Sequence, residues 1–211
     1  MAVVLYIHGM GGGADSRIPS ILRDSLKIYD VEVVARTYDF DPEIATGQIS
    51  SWVNELHPDL IIGESLGALH AIRVKGIPHL FVSPALNAPL FFVPLAWMTL
   101  LPGVTWIFDR IYKPREGDRQ PLHFTFRTLR KYTAHRRVAL SNSLRSGSAD
   151  SFYAFFGTRD HYRRSGIVSV KSWEKHFGKT YELYEGTHFM EEEFVCSILL
   201  SAILNKLGIN K

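Results

Sequence analysis

Short apolar runs bounded by turn residues alternate along this chain with stretches whose apolar positions recur at helical spacing. Alternation of that kind predicts βα units and a mostly parallel sheet with helices on both of its faces. Six strands are expected, near residues 2–7, 31–36, 59–62, 78–82, 151–156 and 180–184, with helices near 16–28, 43–56, 65–75, 167–177 and 190–207. Several helix ends are marked in the sequence: Asp15 or Ser16 can cap the first, Pro42 suits the first turn of the second, and Gly208 follows the last.

One segment, from Ser83 to Asp150, breaks the alternation, and it is far longer than a simple connection between helix and strand. Residues 1–82 and 151–211 are therefore read as the core, and 83–150 as an inserted helical lid. The first half of the insertion, Ala85 to Phe108, carries no charged residue. In the second half ten basic residues between Arg110 and Arg145, Arg115 among them, outnumber Asp109, Glu116 and Asp118. On length alone the uncharged half reaches the roughly 20 residues of a membrane span. Pro89, Pro94 and Pro102 argue against one, as does its place inside a sheet-forming series. A lid over an active site, a lid that touches membrane surfaces and a buried subdomain without a substrate role remain open.

At 211 residues the chain is long enough for a sizeable core. A formal net charge of +3 is too small to imply nucleic-acid binding, which points to catalysis or small-ligand binding. The single Cys196 excludes an internal disulfide, lies in an apolar helical pattern that predicts a small core residue, and suits a reducing compartment. Met1-Ala2-Val3-Val4 enters a strand with no basic leader pattern, so a cytoplasmic location is expected.

The chemistry centres on Gly63-Glu64-Ser65-Leu66-Gly67, which follows the apolar run Leu60-Ile61-Ile62 and precedes Ala68-Leu69-His70-Ala71. A strand, a sharp turn and a helix in that order push the Ser65 hydroxyl into the open, beside the free N–H groups of the helix start. A serine needs a base, and the base needs an orienting acid. His188, in Gly186-Thr187-His188-Phe189 after the last strand, is the candidate base; Asp160, in Phe156-Gly157-Thr158-Arg159-Asp160 after the preceding strand, is the candidate acid. All three follow the carboxyl ends of parallel strands and so share one edge of the sheet. Their chain order, serine, aspartate, histidine, is the one used with a nucleophile elbow. His161 competes as base, and His8 is read as a structural residue. Backbone donors for an oxyanion are assigned to the N–H groups of Met10 and Leu66, the former in the glycine loop His8-Gly9-Met10-Gly11-Gly12-Gly13.

With these pieces in place the chain resembles the α/β-hydrolase family, in particular its small bacterial esterase-like members. The likeness covers the whole sheet-forming part. It implies an ester or thioester hydrolase working through an acyl-enzyme, with no metal or cofactor, and a lid inserted where residues 83–150 lie. The departures are the large lid and a start directly on the strand before the oxyanion loop, without the family's two leading antiparallel strands. The lid's apolar and basic halves suggest a substrate with an apolar acyl chain and an anionic leaving part. The basic residues also fit a solvated face. Two other functions stay open: an NAD(P)-dependent Rossmann-type oxidoreductase using Gly9 to Ala14, which satisfies GxGxxA, and a binding protein that kept the fold and lost turnover. The sequence leaves the oligomeric state undetermined.

Overall fold

The computed structural model of the protein describes residues 1–114, 117–143 and 152–209. Arg115, Glu116 and Arg145 of the insertion, and Ser151 at the start of the expected fifth strand, lie outside the described residues. The six strands are β1 (Ala2–Ile7), β2 (Val31–Ala35), β3 (Leu60–Glu64), β4 (His79–Val82), β5 (Phe152–Gly157) and β6 (Tyr181–Tyr184). They form one open sheet in the order β2-β1-β3-β4-β5-β6, and every pairing is parallel rather than most of them. The order reverses between β1 and β3, so the loops leaving these two strands face each other at the carboxyl edge, where such sheets bind ligands.

Alternate residues of each strand feed two cores. Leu5, Ile7, Ile61, Phe81 and Phe156 face α2 (Pro42–Leu56), α3 (Gly67–Ala71), α4 (Ala88–Met98), α6 (Phe126–Ser143) and α8 (Val170–Phe177). Val4, Tyr6, Val33, Ile62 and Leu80 face α1 (Arg17–Leu26) and the carboxyl-terminal helix. That last helix has three pieces: α9 (Glu192–Phe194), a π-helical turn (Val195–Leu199) and α10 (Leu200–Lys206). Cys196 lies on the π turn and is exposed, contrary to the expectation of a core residue; the wider turn gives its neighbours Val195 and Leu199 the inward positions.

Helix ends follow local chemistry where the side chains allow it. Asp41 caps α2 by accepting from the Glu43 N–H, with Pro42 behind it, and Ser169 caps α8 by accepting from the Ser172 N–H. Ser16 occupies the cap position of α1, but its hydroxyl accepts from the Gly13 N–H instead, tying the glycine loop to the helix. The helix expected over 65–75 is only α3, because Gly76 (φ +79°) and Pro78 turn the chain toward β4. The helix expected over 167–177 is preceded by a separate α7 (His161–Ser165), capped by Asp160 and ended by Gly166 at φ +81°.

The insertion holds α4, α5 (Val104–Ile111) and α6. Among the described residues, no helix is long and apolar enough to cross a membrane. The inner sides of α4 and α6, Phe92, Ala96, Leu129 and Tyr132, share the first core with the sheet. The largest side chain in that core is Trp173 of α8, wholly buried, packed on Phe81 and Phe177, with its indole N–H given to Thr180 Oγ1 at 3.2 Å. Trp173→Ala is expected to remove about 3–5 kcal/mol of stability, read as the shift of the urea unfolding transition; a loss under about 1 kcal/mol would contradict this account of the core.

Candidate active site

Ser65 sits between β3 and α3 with φ +49°, a left-handed conformation that costs a non-glycine residue on the order of 1–3 kcal/mol. The surrounding backbone holds it there: its N–H donates to Val82 O at 2.9 Å, and its carbonyl accepts from the N–H groups of Ala68 and Ala85. The flanking glycines are a matter of space. A Cβ on Gly63 would lie 2.8 Å from the Cβ of Ala71, and one on Gly67 would lie 2.3 Å from His8 O and 2.5 Å from Ile7 O. Strand, turn and the end of β1 are closer than any side chain permits.

The base and the acid arrive from the ends of β6 and β5. Their loops are stitched together: Arg159 N–H donates to Gly186 O at 2.9 Å, and Thr158 N–H donates to Tyr184 O at 2.8 Å. A Cβ on Gly157 would come within 2.4 Å of Gly186 O. This frame puts His188 Nε2 2.9 Å from Ser65 Oγ and His188 Nδ1 2.8 Å from Asp160 Oδ2. With Nδ1–H given to the carboxylate, Nε2 is left to accept the serine proton. Asp160 and His188 are each 3% exposed. The other carboxylate oxygen, Oδ1, accepts from the Tyr162 N–H at 2.8 Å, so the acid is also the cap of α7. The Tyr162 ring meets His188 edge-on at 4.6 Å. His161 is exposed, its ring 6.3 Å from that of His188, and it makes no contact with Ser65 that would let it serve as base.

The glycine loop lies beside the elbow because Ile7 and Gly63 are register partners. Among the described residues, the N–H groups of Met10 and Leu66 are given to no protein acceptor, whereas those around them are: Gly9 to Glu64 Oε2, Gly11 to Gln120 Oε1, Gly12 to Gly9 O, Gly13 to Ser16 Oγ and Ala14 to Thr37 Oγ1. His8 is wholly buried, stacks on Tyr38 at 4.3 Å, and holds Gly9 O through Nδ1 at 2.7 Å. Three residues that hold the loop were assigned no role from the sequence: Glu64, which also accepts from Tyr6 OH; Tyr38, whose OH donates to His8 O; and Gln120, whose side chain joins Gly11 to Tyr38 O. For Glu64 a signal existed, a carboxylate in the strand beside the nucleophile. For Gln120, which is 109 residues from Gly11 in sequence, there was none.

A cavity of about 370 Å³ opens over Ser65. Leu66, Ala88, Phe91, Phe92, Ile167 and Phe189 give it apolar walls, and Arg17, Glu64 and Arg119 are its charged groups. Most of the described cations in the basic half of the insertion lie away from this cavity. Lys131 pairs with Asp41 and Glu43 as a strut between insertion and body, and Arg136 donates to Leu86 O and Asn87 Oδ1, tying two parts of the insertion together. Among the described cations of the insertion, Arg119 alone lines the cavity, and it is paired with Asp15 at 2.9 Å.

The glycine loop does not suit a dinucleotide. Its N–H groups are mostly spent, and the space above Gly13 is filled by the insertion, with Asp118 O where a Cβ would be. A pyrophosphate would find few donors and no room above Gly13.

No protein-family model matches the chain, and no curated protein is similar to it. Solved structures are similar. The monoacylglycerol lipase of Paleococcus ferrophilus aligns over 99% of this chain and 95% of its own, at 19% identity and a TM-score of 0.60. Est1E of Butyrivibrio proteoclasticus, solved with ferulic acid, aligns over 99% and 90%, at 15% identity and 0.65. Mouse alpha/beta hydrolase domain-containing protein 10 aligns over 98% and 89%, at 12% identity and 0.63. The chain has the α/β-hydrolase fold, as the sequence motifs led us to expect.

Two predictions follow from the buried polar groups around the site. Burial pushes His8 from 6.5 down to about 4; burial first and then the nearby Arg73 do the same to His135. Both are neutral in the fold but protonate when unfolded, so their contribution is complete above about pH 6.5 and is lost as pH falls toward 4. Unfolding free energy is expected to drop across that window by up to ~3 kcal/mol per histidine; a flat profile from pH 7 to 4.5 would oppose it. Gln120→Ala strips partners from Gly11 N–H and Tyr38 O, and a loss of about 1–3 kcal/mol is expected in the same unfolding assay.

Proposed function

We propose that the protein is a serine hydrolase that cleaves a carboxylic ester or thioester through an acyl-enzyme on Ser65. The observation that carries this reading is the unbroken series Ser65 Oγ, His188 Nε2, His188 Nδ1, Asp160 Oδ2, with both contacts under 3 Å, at the floor of an apolar cavity. Ser65 Oγ attacks the acyl carbonyl carbon while His188 Nε2 takes its proton. Asp160 holds the imidazole in the required tautomer and offsets the imidazolium charge. The carbonyl oxygen, now an oxyanion, meets the N–H groups of Met10 and Leu66, an arrangement usually worth a few kcal/mol. Collapse breaks the bond to the alcohol or thiol, which leaves with the proton from His188. Water, deprotonated by the same base, then attacks the acyl-enzyme and frees the acid and Ser65.

The substrate is a small acyl ester or thioester. The aromatic and aliphatic walls suit an apolar acyl chain, and α4 acts as a lid by giving Ala88, Phe91 and Phe92 to one side of the cavity. An anionic leaving part rests on Arg17 and Arg119 alone. The printed identities of the similar structures, a monoacylglycerol lipase and an esterase solved with ferulic acid, are in keeping with ester chemistry. The same fold supports many chemistries, so the weight lies on the site.

A fluorophosphonate probe is expected to label Ser65, seen as a mass shift on its peptide and absent from Ser65→Ala. The same variant is expected to lower kcat on p-nitrophenyl esters by on the order of 10⁴-fold or more, and a graded series of these esters reads acyl-chain preference. Equal product release by parent and variant would leave only the non-catalytic binding protein. Tight NADP binding without labelling would favour the oxidoreductase.

A further inference from the structure

Helix α4 is apolar on every side. Its inner positions Ala88, Phe92 and Ala96, four residues apart, are buried against the core. A second apolar stripe runs along the outside: Leu90, Phe91, Trp97 and Met98 are 43% to 59% exposed, and Pro94 falls on the same line. Helix α5 continues this surface with Trp106 and Ile107, 64% and 47% exposed. A surface helix ordinarily turns charged residues to water, and a contiguous exposed apolar face marks a docking surface.

The charges around the face identify what it docks on. No charged residue occurs from Ala85 to Phe108, and cations border it. Arg110 lies over the Trp106 ring at 5.6 Å, Lys113 is exposed a turn further on, and Arg127 follows Phe126, whose ring meets Trp97 at 5.1 Å. Asp109, the acid of α5, is bonded to His123 Nδ1. Apolar residues in the middle, tryptophans toward the margin and cations at the rim match acyl chains, the interfacial zone and anionic headgroups. A second copy is a poorer fit, because a two-fold contact through this face would bring two positive rims together.

We propose that the outer face of α4 and α5 docks the protein on anionic lipid bilayers, the two helices lying in the headgroup plane without crossing. Phe91 belongs both to this face and to the wall of the Ser65 cavity, so docking sets the mouth of the cavity against the lipid. That last consequence rests on the hydrolase reading above; the docking itself does not.

The test is co-sedimentation of the full chain with phosphatidylglycerol/phosphatidylcholine vesicles and with pure phosphatidylcholine vesicles, together with hydrolysis of a soluble short-chain ester. The parent is expected to bind the anionic vesicles and release as salt is raised. Arg110→Gln with Lys113→Gln is expected to weaken binding on the order of 25-fold, about fivefold for each cation. Trp97→Ser with Trp106→Ser is expected to weaken it on the order of tenfold or more. Both variants should hydrolyse the soluble ester as the parent does. No sedimentation of the parent, equal binding to both vesicle types, unchanged binding by the tryptophan variant, or a dimer that this variant dissociates would each overturn the proposal. If the parent binds vesicles but hydrolyses nothing, the hydrolase reading fails and the docking stands.

Discussion

The close packing of β3 against α3 at Ser65 is the constraint on which the rest depends. A left-handed serine is unfavourable on its own, and it persists because both of its peptide groups are bonded to fixed neighbours and because Gly63 and Gly67 let strand and helix approach. Given that geometry, the hydroxyl faces outward at the place where the sheet order reverses, and the loops after β1, β5 and β6 can reach it. Those loops are fixed by two means. The glycine loop is held by side chains, and the acid and base loops by each other's backbone.

Much of this could be read in the chain. The strands, the elbow and the order of serine, aspartate and histidine depend on short-range signals: apolar runs, glycines beside a turn, and polar residues just past strand ends. Such signals survive because β-strand periodicity and turn sterics are local. The helix boundaries were less well marked where tertiary contacts decide them. Asp160 is at once the partner of His188 and the cap that starts α7, and a reading that gave it only the first role missed the helix. Cys196 looked like a core position because an α-helical period was assumed through a turn that is π-helical.

What escaped the sequence altogether are interactions between distant polar residues. Gln120 and Lys131 look like ordinary surface residues in a basic stretch, yet one holds the glycine loop and the other pairs with the helix cap Asp41. Likewise His70 and His135, which no motif singles out, pack ring to ring at 4.5 Å in the interior, with Arg73 donating to His135 Nδ1 at 2.8 Å. Burial, not a motif, sets their character, and burial is known only once the chain is folded.

The Gln120 contacts also anchor the insertion mechanically. At Asp118 and Gln120 it is fastened to the first strand's loop and, through Thr37 and Tyr38, to the loop after the second. Arg136 of α6 in turn bonds Leu86 O and Asn87 Oδ1 at the start of α4, whose inner side lies in the first core. One wall of the Ser65 cavity is therefore made by a helix that the core itself holds, and its width is set by packing rather than by the reach of a loop.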